Sequence, residues 1–521
     1  MENGAMETAP TSEMIGNDTE NERSKLIDLA SAAIDEVIKL AQPDSDLWIK
    51  SLESGRVGRE VLNRDEYEKI RSPFDTPKPN GFVAEASRKT VLLCTNTAAL
   101  IETFLDADRW SKMFSYIIAK AKTLDVLSNG INGTRNGSMQ LMHAEIQLPT
   151  PLVPVREYRF IRFCKQHAEG NKWAVVDVPI DFYRDGPNGN PNLSCKRLPS
   201  GCILEDMPYG CQITWVDHSQ YDESAVHQIY RPLVNSGIAF GAHRWVATLK
   251  RHCESLAIPM FTVPSDYPAA ISPSGKSGFL MLAQRMSDSF MSGICPSSAC
   301  KWDILHISNM ANNDRRIMSR LIQDASGENR AIVLSASTSV WMPVSRQKMF
   351  YFLRDARMRG RWDGLSNSES MEEIVRIPKG QFGDSVSIIG AAAGKGNKSN
   401  FLYLQDSWID SSGAMVIYSP ISMESYNMVM SNGEDASFIP VLPSGFSILP
   451  DGNSSNKTMV RSDGSGSSGS GGNIGCLLTV GLQMLLISSR QSSKLTNESI
   501  VTVNEIISCT IQKIKNALGV A

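Results

Sequence analysis

Arg162 is the residue whose position most clearly predicts chemistry. It lies in the strand-like run 157–166, where period-two alternation puts it on the same face as Tyr158, Phe160 and Cys164. A guanidinium among apolar neighbours needs an acceptor, because an unpaired buried charge is costly. We therefore expect a buried acceptor beside Arg162.

Catalytic and metal-binding motifs lack the context that their chemistry requires. Residues 464–469 fit a dinucleotide-binding glycine pattern by letter, but they lie in low-complexity sequence without a strand-to-helix setting. The seven histidines are scattered, no G-x-S-x-G or H-E-x-x-H occurs, and the ten cysteines show no C-x-x-C pair. We expect no enzyme activity, no catalytic residue, no metal site and no cofactor.

Composition excludes other classes of protein. The 521 residues carry a formal net charge of −3 and a pI near 6.2, which gives no basic footprint for direct nucleic-acid binding. Residues 1–23 are polar and acidic, so we expect a disordered N-terminus without a signal peptide. Since no run reaches about 18 uninterrupted apolar residues, we expect no membrane span.

The elements that must position Arg162 form a strand-rich first half. Six strand-like runs separated by turn clusters occupy residues 118–217, and a helical pattern from about Ala225 to Leu256 follows them. A curved antiparallel sheet with a long helix across it encloses an apolar space. This arrangement is typical of a container for an apolar ligand.

The sequence of the first half is partly repeated in the second. The motif LPSG occurs at 198–201 and 442–445, and an Arg-Trp pair precedes each copy, at 109–110 and 361–362. These two features recur in the same order, after 244 and 252 residues respectively. We interpret the repeat as an old tandem duplication of one domain.

We therefore predict an α+β chain with two helix-grip domains, each a curved antiparallel sheet under a long C-terminal helix. The first domain spans 24–257 and the second spans 331–521, with a flexible Gly/Ser loop at 462–472. Residues 258–330 are expected to form a packed linker, because Phe279 and Phe290 share one helical face with a leucine and a methionine.

Several segments resemble a known family. Segments of the first half resemble the START lipid-binding domain, in particular that of plant class IV homeodomain-leucine zipper transcription factors: 152–157, 162–166, 173–178, 197–202, 215–218 and 243–245. Segments of the second half resemble the START-associated domain of the same family: 332–336, 352–355, 361–363 and 442–446. The family also carries a homeodomain and a zipper, and we expect neither in residues 1–23.

The resemblance implies a tunnel that shelters a lipid or sterol. It places Glu145 as the acidic partner of Arg162 at the polar end of that tunnel, with Tyr158, Phe160 and Trp245 as further ligand contacts. An ion pair that only fixes strand register is the alternative, since Glu145 lies opposite the apolar face of its strand. The strands 384–389 and 401–408 offer no comparable arginine, which suggests a binding copy and a scaffold copy.

Two functions follow from this resemblance. The first is a regulatory region that binds a lipid or sterol and controls the stability or partners of a transcription factor in the nucleus. Its partners would be the ligand and full-length family members or other transcription regulators. The alternative is a cytoplasmic carrier that moves lipid between membranes.

Overall fold

The computed structural model describes most of the chain. The described residues are 12–53, 56–74, 78–167, 170–180, 194–257, 271–305, 314–323, 330–364, 370–380, 383–391, 401–432, 438–452, 475–487 and 497–520. The predicted Gly/Ser loop at 462–472 lies outside them. Within these ranges, no helix has the length and apolar character needed to cross a bilayer.

The first half contains helices on both faces of one antiparallel sheet. Its elements in chain order are α1 (Ser12–Ala41), β1 (Trp48–Glu53), β2 (Arg56–Leu62), α2 (Arg64–Glu68), β3 (Phe82–Leu93), α3 (Thr97–Phe104), α4 (Ala107–Met113), β4 (Ile118–Asn129), β5 (Ser138–Ile146), β6 (Arg156–Gln166), β7 (Lys172–Pro179), β8 (Cys195–Arg197), β9 (Ser200–Met207), β10 (Gly210–Asp222), a 3-10 helix (Glu223–Ala225), α5 (Arg231–Asn235) and α6 (Ala242–Ala257). The strand order is β3-β10-β9-β7-β6-β5-β4, and β8 pairs with β10.

Alternation along the strands divides the first core into two layers. On β6, Ile161 and Phe163 join the cluster that includes α1, whereas Phe160 and Cys164 join the cluster that includes α6. Successive side chains of a strand point to opposite faces, so one apolar strand supplies both layers. The face toward α6 is the interior of the predicted container.

The second half repeats this construction. Its elements are α7 (Pro273–Ile294), β11 (Asp303–Ile304), β12 (Arg315–Gln323), β13 (Arg330–Met342), α8 (Arg346–Arg354), a 3-10 helix (Ala356–Arg361), β14 (Met371–Pro378), β15 (Ser385–Ala391), β16 (Phe401–Ile409), β17 (Ala414–Ser422), α9 (Met423–Asn432), β18 (Ser444–Pro450), β19 (Cys476–Ile487) and α10 (Asn497–Leu518). The sheet has the order β11-β12-β13-β19-β18-β17-β16-β15-β14.

The two sheets share one topology. From β13 onward the second sheet runs in the order of the first, so β13 corresponds to β3, β19 to β10, β18 to β9 and β14 to β4. The closing helix α10 packs on one face, as α6 does in the first half. The predicted α+β architecture of two helix-grip domains is confirmed.

The glycine of each LPSG motif lies where two strands approach closely. A Cβ on Gly201 would lie 2.2 Å from the carbonyl oxygen of Val175, and φ there is +151°. A Cβ on Gly445 would lie 2.6 Å from the carbonyl oxygen of Val416. A side chain at either position would displace the neighbouring strand, which gives the repeated motif a physical reason.

The long closing helix predicted from Ala225 is broken in the structure. Pro232 lies in the first turn of the short helix α5, and α6 begins only at Ala242. Gly237 between them has φ +67°, and a Cβ on Gly241 would lie 2.4 Å from Oγ of Ser87. The apolar residues that predicted one long helix therefore lie on two separate helices, α5 and α6, and on the turn between them.

The boundaries of two segments also differ from the expectation. Helix α1 begins at Ser12, although residues 1–23 were expected to be disordered, and residues 1–11 lie outside the described ranges. The segment 258–330 supplies α7, β11 and β12 to the second sheet, so that domain begins near 271. Phe279 of α7 is fully buried and Phe290 is 1% exposed, so this helix packs in the core of the second domain.

Candidate functional site

Aromatic side chains fill the interior between α6 and the first sheet. Trp245 of α6 lies between two parallel indoles, with its ring centroid 6.0 Å from Trp110 and 5.0 Å from Trp215. Phe114 meets Trp245 edge-on at 5.0 Å, and all four rings are buried. Helix α6 therefore places an indole at the centre of the space where a ligand was expected.

Arg162 lies at one end of this aromatic interior, and each of its three guanidinium nitrogens donates a hydrogen bond. Its Nε and Nη2 donate to the two carboxylate oxygens of Asp177 at 2.7 and 3.1 Å. Its Nη1 donates to the carbonyl oxygen of Phe104 at 2.7 Å, and the guanidinium lies 3.9 Å above the Trp110 ring. A bidentate pair with a carboxylate is the arrangement that best stabilises a buried guanidinium. The expectation of a buried acceptor beside Arg162 is confirmed.

Two more buried charged residues extend the pair of Arg162 and Asp177. Arg197 donates from Nη2 to Asp177 at 3.1 Å and from Nη1 to Asp217 at 3.4 Å. Burial raises the pKa of Asp217 to about 6, although the neighbouring Arg197 favours the ionised form. We call Arg162, Asp177, Arg197 and Asp217 the charge chain.

A second buried ion pair joins the start of β6 to β3. Arg156 pairs with Glu85 through its Nη1 and also donates to Oγ of Ser219 at 3.2 Å. Its guanidinium lies 4.4 Å from the ring centroid of Tyr221 and 3.8 Å from that of Phe240. The cation is thus held by a carboxylate on one side and by aromatic faces on the others.

Four buried polar atoms at these two clusters have no hydrogen-bond partner among the described residues. They are the donors Arg197 Nε, Trp215 Nε1 and Arg156 Nη2 and the acceptor Glu85 Oε2. Unsatisfied buried polar groups are costly, so each of these atoms is a candidate contact for a ligand or an ordered water. Three donors and one acceptor suit a group that carries oxygen.

The predicted pair between Glu145 and Arg162 does not form. Glu145 lies opposite Glu157 in the strand register, whereas Arg162 lies opposite Gln140, so the two side chains point to different faces of the sheet. Glu145 accepts hydrogen bonds from Lys120 at 3.2 Å and from Oγ of Ser297 at 2.8 Å. Glu145 therefore fits the alternative interpretation, a structural contact outside the interior.

The surroundings of Glu145 fix its charge. Burial alone would raise its pKa, but hydrogen bonds from Ser298, Ser297 and Lys120 outweigh burial and lower it. The amide of Ser298 donates at 3.1 Å, so the carboxylate fastens the segment after α7 to the first sheet. This role is structural.

The other predicted site residues do lie together. Tyr158, Phe160 and Trp245 are buried in the core cluster under α6, and Phe160 is 6.3 Å from Trp110. Arg197 lies 5.4 Å from the centroid of Tyr158. Whether these side chains contact a ligand stays a prediction.

Asp177 and Asp217, the partners of Arg162 and Arg197, were not predicted from the sequence. Asp177 follows two valines and Asp217 follows Trp215 and Val216, so each is a lone carboxylate in an apolar strand. The alternation argument that identified Arg162 also applies to both of them. Alternation along these strands predicts that both carboxylates face the interior, but it does not predict which arginine each one pairs with.

Comparisons with known proteins identify the two domains. Residues 28–255 match the model of the START domain, and residues 272–520 match that of the PDF2-like, C-terminal domain. The chain is 46% identical over 505 residues to homeobox-leucine zipper protein HDG1 of Arabidopsis thaliana, covering 96% of this chain and 61% of that protein. It is 40% identical over 525 residues to homeobox-leucine zipper protein ROC8 of Oryza sativa subsp. japonica, covering 98% of this chain and 72% of that protein.

The chain belongs to the homeobox-leucine zipper protein family. It spans about three fifths of the length of HDG1. Among solved structures, human StAR-related lipid transfer protein 5 is 12% identical with a TM-score of 0.28, covering 45% of this chain and 99% of that one. The assignment of the fold rests on the strand order of the two sheets.

The START domain also has an open cleft at the outer end of the charge chain. The cleft has a volume of about 640 Å³ and lies between α3–α4 and β4–β5. Its lining includes Leu105, which follows the Phe104 carbonyl bound by Arg162, and Gln140, which lies opposite Arg162 in register. The charged residues Arg109 and Lys122 lie on its walls.

The PDF2-like domain keeps part of this arrangement with other residues. Gln405 pairs with Tyr418 in register as Arg162 pairs with Asp177. Gln405 donates to the carbonyl oxygen of Arg354 at the end of α8, just as Arg162 donates to the end of α3. A neutral amide therefore replaces the guanidinium on the corresponding strand.

An arginine nevertheless reaches the interior of the second domain. Arg359 of the 3-10 helix is 1% exposed, and its guanidinium lies 3.9 Å from the Tyr403 centroid and 4.0 Å from the Tyr418 centroid. Its Nε donates to Asp363 at 2.9 Å. The expectation that the strands 384–389 and 401–408 carry no comparable arginine holds, since the buried arginine of this domain comes from a 3-10 helix.

Proposed function

We propose that this chain is a regulatory region of a homeobox-leucine zipper transcription factor, in which the START domain binds a lipid or sterol. The observation that carries the proposal is an aromatic interior that ends in buried charges with unsatisfied polar atoms. Apolar area would supply the affinity, at about 25 cal/mol per Å² removed from water, and a few polar groups would supply orientation.

The ligand class follows from the unsatisfied atoms. Trp215 Nε1, Arg197 Nε and Arg156 Nη2 can each donate to an oxygen, and Glu85 Oε2 can accept from a hydroxyl. A sterol hydroxyl can accept from one of these donors and donate to Glu85, whereas the carbonyl of an acyl lipid can only accept from the donors. Asp177 and Phe104 accept three of the five N–H donors of Arg162, so Arg162 can contact a ligand only through the second N–H of Nη1 or of Nη2.

Binding requires the interior to open. Trp245 lies between Trp110 and Trp215, so a ligand must separate these rings and replace their contacts with its own. If the open form is a small fraction of the population, the apparent affinity falls by that fraction. We infer that the ligand shifts the domain from a closed to an open form, which would change its stability and its partners in the nucleus.

A matched pair of tryptophan variants tests the polar contact. Trp215→Phe removes an indole N–H without an acceptor among the described residues, whereas Trp245→Phe removes one that donates to the carbonyl oxygen of Phe240 at 3.2 Å. Both changes remove a similar ring volume. We expect Trp215→Phe to weaken the binding of NBD-labelled cholesterol about fivefold more than Trp245→Phe does. This factor corresponds to the free energy of one hydrogen bond.

The assay is the fluorescence of the NBD label, titrated against purified protein. Equal losses in the two variants would contradict a role for Trp215 in orienting the ligand. Catalytic transfer of the probe between phosphatidylcholine vesicles would instead support the carrier function.

A further inference from the structure

Helix α6 is the element that closes the START interior. Its inner face carries Trp245, and the Trp245 ring lies 6.0 Å from Trp110 and 5.0 Å from Trp215. A ligand can enter this space only if Trp245 leaves one of the two rings. In the simplest such displacement, α6, a helix of 16 residues, moves away from the sheet together with Trp245.

The second domain contacts the outer side of α6. Arg251, six residues after Trp245 and thus about 9 Å further along the helix, forms an ion pair with Asp410. The Arg251 guanidinium lies 3.6 Å above the ring of Trp408. Arg251 is 8% exposed although its helix belongs to the first domain, because β16 and the turn after it cover it.

Asp410 is positioned for this contact by its own turn. Its Oδ1 accepts from the amide of Ser412 at 2.8 Å, from the hydroxyl of Ser412 at 2.6 Å and from the amide of Gly413 at 3.2 Å. The other oxygen, Oδ2, pairs with Arg251. A carboxylate held in this way loses little freedom when it binds the guanidinium, so the pair can be stronger than an exposed one.

A second set of contacts holds the connection between β5 and β6. Thr150 of that connection shares a hydrogen bond with Ser339 at 2.9 Å, and Ser339 shares one with Thr479 at 2.8 Å. Thr479 in turn contacts the hydroxyl of Tyr230, just before α5, at 3.0 Å. This buried chain of four hydroxyls is a second contact that joins the two domains.

We propose that the PDF2-like domain clamps the START domain in its closed form through Arg251, Asp410 and Trp408, which we call the α6 clamp. The clamp stabilises only the closed form, so it lowers the open fraction and slows the uptake of ligand. The second domain is thereby a regulator of the first. This inference rests on the proposed lipid binding, and its test separates the two.

The test compares two clamp variants with a matched control. Arg251→Gln removes the cation, and Asp410→Asn removes the charge while its Oδ1 still caps the turn. Arg88→Gln is the control, because Arg88 also joins a carboxylate, Glu60, to a tryptophan ring, Trp48, which packs in the layer with α1 and not with α6. All three remove one ion pair, but only the first two touch α6.

We expect both clamp variants to take up NBD-labelled cholesterol on the order of tenfold faster than wild type and than Arg88→Gln, a coupling of ordinary size. The double variant should be no faster than either single variant, since each one alone breaks the same contact. Equal uptake rates for wild type, clamp variants and control would overturn the clamp and leave lipid binding intact.

A second measurement does not depend on a lipid. Amide hydrogen exchange of α6 should be on the order of tenfold faster in Arg251→Gln than in wild type, with no such change in Arg88→Gln. Faster exchange without any uptake by any protein would keep the clamp and contradict the proposed function. Unchanged exchange in α6 would contradict the clamp.

Discussion

Asp177 is the centre of the charge chain, and replacing it gives the strongest expected loss of stability. Asp177 accepts two hydrogen bonds from Arg162 and one from Arg197, and it is 3% exposed. In Asp177→Asn both guanidinium groups lose their shared counter-charge, although Asp217 still contacts Arg197. The shape of the side chain is unchanged, so the effect comes from charge and hydrogen bonding.

The expected magnitude follows from burial. Removing one partner of a buried ion pair costs about 3–5 kcal/mol, because it leaves an uncompensated buried charge. The amide oxygen of asparagine can still accept up to two of the three bonds, since Oδ2 accepts from both arginines, which places our expectation near 3 kcal/mol. An exposed aspartate on the neighbouring strand, Asp206, provides the control, and Asp206→Asn should change stability by less than about 0.5 kcal/mol.

Urea unfolding of the full chain, followed by tryptophan fluorescence, measures the difference. Trp110, Trp215 and Trp245 lie in the START core beside the charge chain and report on that domain. If Asp177→Asn unfolded within about 0.5 kcal/mol of wild type, the charge chain would not organise the interior. The account of its polar end would then be refuted.

Two further predictions concern pH and the repeated motif. Since burial raises the pKa of Asp217 to about 6, the folded chain binds a proton between pH 4 and 6 that the unfolded chain releases. The free energy of unfolding should therefore fall as pH rises through that window, by ~3 kcal/mol more in wild type than in Asp217→Asn. Equal pH profiles in acid titrations would contradict the raised pKa. Gly201→Ala should destabilise the chain by about 2 kcal/mol or more, because a Cβ would lie 2.2 Å from the Val175 carbonyl oxygen. In Gly360→Ala the new Cβ meets no atom within 4 Å, and an equal loss in thermal unfolding of this control would refute the steric reason for the motif.

The sequence predicted on which face of β6 Arg162 lies, but it did not predict which residue pairs with Arg162. Alternation along β6 put Arg162 with Phe160 on one face, and the structure agrees. The partner depends on strand register, which alternation within one strand does not fix. Register places Asp177 opposite Arg162 on β7, while Glu145 lies on the other face of β5.

The repeat was also visible in the sequence, but the contacts of the second domain with the first were not. The two LPSG motifs begin β9 and β18, and these strands hold corresponding places in the two sheets. The helical spacing of Phe279 and Phe290 predicted that α7 packs, but not which sheet it covers. Contacts between distant segments, such as that of Arg251 with Asp410, leave no periodic pattern in either segment.

Native mass spectrometry shows directly whether a lipid or sterol stays bound to the START domain. The purified wild-type chain and the clamp variant Arg251→Gln are incubated with vesicles that contain phosphatidylcholine and cholesterol, separated from them and weighed intact. We expect one lipid or sterol per chain, with faster loading of the variant. Both proteins remaining at the mass of the bare polypeptide, with the fold intact, would contradict the proposal that this START domain binds a lipid.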